Sequence, residues 1–254
     1  MGYDGVSIAL IFAATFLSKV VNVILGMGFG IGMTFTFLML GYNPTQVVTG
    51  ILVAQTLGQL LAAFFHHKYQ NVDYRLEGRA IRITLILVLF SLTGAVLGPL
   101  VEVNVPALYL KLFTAGVIIA LGAFMLLKRN SVSPFSWTKL MVTGLFAGFI
   151  KGLTGCGYGP LLTSGQLLVG VDGKSAVGIS MLAGPAVFSL SILTYACTAA
   201  TIDGYLILYM MSAIAVATPI GAFLLHRIQL QSVKRIIGFA TIIMGLLLIG
   251  KSLI

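Results

Sequence analysis

Long apolar stretches recur along the whole chain with hardly a charge inside them, and this pattern leaves few folds open. Residues 45–65, 83–101, 112–127, 175–200, 205–225 and 236–250 all read this way. Most approach the roughly 20 residues that a helix needs to cross about 30 Å of hydrocarbon. The chain is 59% hydrophobic and 8% charged, with a mean hydropathy of +1.08. A soluble core of 254 residues cannot hide that much apolar surface, so lipid must be the solvent for most of it. The expected fold is all-α, a polytopic helical protein of the cell membrane. The longest polar connection runs only over 66–82, which leaves no room for a soluble catalytic domain. The first basic residue is Lys19 and no small-residue cleavage site follows a short apolar run, so the first segment reads as retained.

Several function classes fall away on the same grounds. The net charge of +9 sits mainly at segment ends, the footprint of topology and anionic lipid rather than of a nucleic-acid face. Cys156 and Cys197 lie in apolar context with no disulfide or metal-ligand spacing, and read as packing residues. His66 and His67 are consecutive at a segment end and His226 adjoins Arg227, which suggests solvated, interfacial roles. No zinc-protease or nucleophile-elbow motif and no intramembrane carboxylate pair occurs. The chain therefore reads as no enzyme, with neither cofactor nor metal.

The two halves align with one another. Gly28-Phe29-Gly30-Ile31-Gly32 matches Gly155-Cys156-Gly157-Tyr158-Gly159, and the segment from Gly41 matches that from Gly170. Val72-Asp73 matches Ile202-Asp203, and 111–122 matches 234–245. The first repeat is placed at 1–129, with a Gly-rich hairpin over 7–42 and transmembrane helices near 45–66, 81–101 and 107–128. The second is placed at 130–254, with a hairpin over 138–170 and helices near 174–199, 204–226 and 233–252.

Loop charges do not follow the repeat. The loop after the second segment is basic in the first half (Lys68, Arg75, Arg79, Arg82) and the next one is not; in the second half the order is swapped. Swapped charge implies opposite orientation, and inverted repeats require that each Gly-rich segment enter and leave on one side. Lys68, Arg75, Arg79, Arg82, Lys128, Arg129, Lys139, Lys174, Arg227, Lys234 and Arg235 then share one side, against Lys111 and Lys251 on the other. Eight single crossings would split the same residues five against eight, so the positive-inside rule favours the inverted arrangement with both termini outside the cytoplasm. A homodimer is left open as the assembly.

Glycines at Gly26, Gly28, Gly30 and Gly32 are poor helix interior, each costing about 1 kcal/mol against Ala, so the helix is expected to break there. Broken helices at matching places in two inverted repeats point to a transporter site, where half-helix N-termini aim N–H groups at an anion. Pro160 suits the first turn of the returning half-helix. Gly94/Gly98 and Gly144/Gly148 read instead as close-packing pairs. Among the ionisable residues only Lys19 and Lys151 fall inside membrane segments, while all six acids lie near segment ends. A cavity with positive charge and no carboxylate favours anions. The candidate substrate-binding set is Lys19, Asn22, Gly28, Gly30, Gly32, Gln55, Gln59, Lys151, Thr154, Gly155, Gly157, Tyr158, Gly159, Thr163, Ser164 and Gln166. Gln55, Thr56 and Gln59 form a stripe that lines the same cavity or bridges helices.

The paired Gly-rich motifs, the Val72-Asp73-Tyr74 and Ile202-Asp203-Gly204-Tyr205 segments and the starts of each last segment at Lys111 and Lys234 resemble the TauE/SafE family of sulfite-exporter-like permeases. The resemblance covers nearly the whole chain and implies membrane transport of sulfite or an organosulfonate such as sulfoacetate. With a potential negative inside, expelling one negative charge releases about 2.3 kcal/mol per 100 mV, so export needs no coupling ion. The leading expectation is an alternating-access exporter of a small anion. An anion channel of the same architecture is the alternative, and a membrane-embedded redox enzyme using Cys156 a third.

Overall fold

In hydrocarbon every backbone polar group must find a partner within the protein, which makes helices the default for such segments. A computed structural model describes residues 5–39, 44–102, 107–127, 134–154, 157–197 and 204–253, and it is all-α. The helices are α1 (Gly5–Leu25), α2 (Phe29–Met39), α3 (Pro44–Lys68), α4 (Arg79–Glu102), α5 (Ala107–Leu127), α6 (Trp137–Thr154), α7 (Tyr158–Leu168), α8 (Gly173–Cys197), α9 (Gly204–Arg227) and α10 (Leu230–Leu253). Five of them, α1, α3, α4, α8 and α9, are long and apolar enough to cross a membrane, and α5 and α10 hold shorter apolar windows. The protein is a multi-pass membrane protein. Helix α4 buries only 28% of its apolar window, whereas α8 buries 61%, which sets α4 at the lipid face and α8 in the middle.

The order long, short, long, long, long occurs twice. Helices α1 and α6 end at Leu25 and Thr154, α2 and α7 begin at Phe29 and Tyr158, and α3 and α8 begin at Pro44 and Gly173. Each pair is 129 residues apart. The structural register is thus two residues off the one that string matching of the glycines suggests, because Gly-x-Gly-x-Gly superimposes on itself after a shift of two. Left-handed Gly28 (φ +100°) and Gly157 (φ +80°) are the true counterparts, each directly preceding a short helix. In this register Lys151 corresponds to Asn22, and Lys19 to Gly148.

Both short helices turn back on the long helix before them. Phe29 and Gly32 of α2 lie against Lys19 and Ser18 of α1. Likewise Gly157 and Gly165, flanking and within α7, meet Ile150 and Thr143 of α6. Helices α3 and α8 run antiparallel, since Gly184 sits on Gln59 while Gly178 sits on Val72, just past the end of α3. Helices α5 and α10 are antiparallel too, with Gly122 against Gly238 and Ile242, and Gly245 against Ala115 and Ile119. Across the halves, α6 packs on α4 as α1 packs on α9, and α8 packs on α4 as α3 packs on α9. Gly94, Gly144 and Gly148 bring the backbones of α4 and α6 together, the packing role read from their spacing.

One end of the bundle is basic. Arg79 stacks on Phe135 ahead of α6, with its guanidinium 4.0 Å from the ring centroid, and Tyr74 donates to the Gly178 carbonyl at 2.5 Å. Asn71 donates to Ala222 O at 2.8 Å, and Lys174 to His226 O at 2.6 Å. Lys68, Arg75, Arg79, Lys174 and Arg227 therefore gather near one end.

Candidate functional site

The two helix breaks touch. Glycine permits left-handed Gly26 and Gly28 to reverse the chain, and Gly26 N still bonds Asn22 O at 2.8 Å. Thr163 of α7 donates to the freed Gly26 carbonyl at 3.3 Å and lies 3.0 Å from Ser180 Oγ. A Cβ on Gly159 would stand 3.0 Å from Gly26 O and 3.2 Å from Met27 Cα, so the chains approach this closely only without a side chain there. Pro160 lies in the first turn of α7.

Beside the first break Lys19 is wholly buried, with its Nζ 3.3 Å from Asn22 Oδ1 and 5.4 Å from the Phe29 ring centroid. Asn22 is buried with it, and Gly58 of α3 closes over the ammonium. Beside the second break Lys151 is half-buried, 5.5 Å from the Phe188 ring centroid. Tyr158 meets the same ring edge-on at 5.8 Å and donates to Ser91 Oγ at 3.2 Å. Gly184 lets Gln59 and Phe188 converge, which joins the two lysine neighbourhoods across α3 and α8. Pro185, in the interior of α8 beside this junction, lacks the N–H that would bond the Met181 carbonyl.

The remaining candidates divide. Gln55 is buried facing Gly30, and the Gln59 Oε1 is buried with no hydrogen-bond partner. Gly28 faces Met244, and Gly32 N bonds Gly28 O at 2.9 Å. Ser164 pairs with Thr241 at 2.8 Å, and Gln166 Nε2 donates to Ser180 Oγ at 2.8 Å and shares its second hydrogen between Leu162 O and Ala176 O at 3.2 and 3.3 Å. Those last two side chains tie α7 to α10 and α8 and so hold the second break in place. Thr56 donates to Leu52 O of its own helix. Gly155 and Cys156 lie outside the described residues, as do the side chains of Thr154 and Cys197.

Sequence reasoning missed Phe188 and Ser91, which stand in apolar runs and give no local signal, and the place of Phe29, which it named only as part of the first Gly-rich motif. It also misplaced His66. That side chain is fully buried, not solvated at an interface, because the chain doubles back after α3 and Asn71 closes over it, while His67, a third of a turn round, stays exposed.

Comparison with known proteins now fits this geometry. The family described as "Sulfite exporter TauE/SafE" matches residues 11–248. The chain belongs to the TauE/SafE family. A Sinorhizobium sp. protein named "Probable membrane transporter protein ORF9" is 30% identical over 168 residues, 62% of this chain and 60% of that protein, so the match spans less than two thirds of the relative. Two Bacillus subtilis proteins carry the same description: YdhB, 25% identical over 68% of this chain and 72% of its own, and YtnM, 23% identical over 87% and 76%. TauE/SafE membership sets this chain among membrane transporters rather than enzymes.

Proposed function

We propose that this TauE/SafE protein carries a small, sulfur-containing anion, sulfite or an organosulfonate such as sulfoacetate, outward across the cell membrane by alternating access. Fully buried Lys19 carries the reading. A buried ammonium needs a charge partner, yet the groups about Lys19 are an amide oxygen and a phenyl ring, and all six acids lie outside the apolar windows. An anion supplies what is missing. The N-terminus of α2 adds a favourable dipole beside it, and Lys151 provides a second cation on the far side of the Gln59–Phe188 junction.

The two halves act, in this proposal, as inverted repeats (1–129 and 130–254) around that site. The antiparallel pairing of counterpart helices and the turning back of α2 and α7 support it, as does the gathering of basic residues at one end.

The test is a binding screen of sulfite, thiosulfate, sulfoacetate, taurine and carboxylate analogues on purified protein. Lys19→Ala should weaken binding of the preferred anion by about 10- to 100-fold, the worth of a hydrogen bond to a charged group, and Lys151→Ala by less. Unchanged binding in both variants refutes the charge role. In proteoliposomes, unlabelled substrate should trans-stimulate counterflow of labelled substrate; non-saturating flux without it would assign a channel.

A further inference from the structure

The 69–78 loop at the basic end is tied to the second half of the chain through two main-chain carbonyls. Tyr74 donates to Gly178 O of α8, and Asn71 Nδ2 donates to Ala222 O of α9. Val72, only 4% exposed, packs over Gly178. The outer side of the loop lines an open recess of about 520 Å³ with His67, Lys68 and Arg75, so water reaches it.

Beneath Asn71 lies His66. The Ala222 carbonyl can only accept, so the Asn71 atom facing it is the nitrogen. That same nitrogen lies 3.1 Å from His66 Nδ1 and has a second hydrogen to give it. Nδ1 is thereby an acceptor, and the neutral ring carries its hydrogen on Nε2. A proton added at Nδ1 would set an N–H against the Asn71 N–H.

We propose that His66 is a proton-binding site whose occupation releases the Asn71 latch and frees the 69–78 loop from α9. The proton comes from solution at the basic end and adds to the Nδ1 lone pair; no bond to carbon changes. Asn71 then loses its acceptor and turns away, taking its bond to Ala222 with it. Around His66, Lys19 of α1 acts on it electrostatically and the Val23 main chain of α1 lies against its ring, Asn71 covers it from the loop with the Ala222 carbonyl of α9 behind, and its own helix adds exposed His67 and Lys68. Because Lys19 and a protonated His66 repel, an anion at Lys19 favours proton uptake at His66, and by reciprocity the proton favours the anion. That consequence for transport rests on the function proposed above; the latch does not.

Peptide-level hydrogen–deuterium exchange of the 69–78 loop, without substrate, tests the latch. After correction for intrinsic exchange, acidification from pH 7.5 to 5 should raise loop exchange in the wild type by about tenfold, the loss of one buried hydrogen bond. His66→Gln should stay slow at both pH values, and Asn71→Ala fast at both, with α5 and α10 unchanged in each. Acid-induced opening that survives in His66→Gln, or its absence in the wild type, overturns the proposal. A second measurement leaves His66 intact. In a His67→Gln/His226→Gln background His66 is the last of the three histidines, and its ¹⁵N shifts should report the Nε2–H tautomer while the loop is closed; an Nδ1–H tautomer would refute the latch.

Discussion

Tyr74 holds its loop with one hydroxyl. Burial pushes that hydroxyl above the ordinary tyrosine range, because the phenolate has lost its water, so the neutral donor is the form the fold retains. The sign follows: a pKa raised on folding contributes stability that is fully present below the unfolded value of about 10 and is lost as pH climbs beyond it. Tyr74→Phe should cost about 1 kcal/mol at neutral pH. In detergent, its deficit against the wild type in chemical unfolding should narrow above pH 10. A deficit that does not change with alkalinity would mean that the hydroxyl is not buried as described. Tyr74 stays neutral between pH 5 and 7.5, so acid-driven release of the loop falls to the histidines, and His66→Gln separates His66 from His67, whose ring also meets Val72 O and Tyr74 N of the loop.

At the scale of the helix, glycine decides how near two backbones come. A Cβ on Gly148 would fall on the Ser91 main chain of α4, and neither backbone can yield without parting the helices. Gly148→Ala should destabilise by about 1–3 kcal/mol, as overpacking does. It should also lower anion binding, since Ser91 anchors Tyr158 at the start of α7. Gly116, with nothing within 4 Å of its would-be Cβ, is the control, and Gly116→Ala inside α5 should be neutral or stabilising by up to about 1 kcal/mol. Equal losses in the two would remove close packing as the cause. These contrasts also mark what was legible in sequence. The breaks were, because runs of glycine are unfit for helix interior, and Lys19 and Lys151 were, because charge in an apolar segment is conspicuous. Their register was not, since alternating glycines match themselves at a shift of two and only the left-handed φ at Gly28 and Gly157 fixes it. Nor was the burial of His66, which depends on a loop folding back over its own helix, a tertiary event that no local pattern encodes.

For the molecule as a whole the open quantity is orientation. Lys68, Arg75 and Arg79 belong to the first half and Lys174 and Arg227 to the second, yet contacts of the loop with α8 and α9 set them near one end. If each Gly-rich segment crossed the bilayer once, Lys174 and Arg227 would lie a full membrane thickness from Lys68, and the bonds of Asn71 to Ala222 and Tyr74 to Gly178 could not form. By the positive-inside rule a same-end cluster of this kind is expected on the cytoplasmic side. Helix α10 begins just after Arg227 at that end, so the proposed inverted arrangement expects its last turn near Leu253 in the other compartment. A reporter active only in the cytoplasm should therefore be silent when fused after Ile254 and active when fused after truncation in the 69–78 loop. Activity at both places would require α10 to return to the cytoplasmic side, and would remove the inverted relation between the halves on which the central anion site depends.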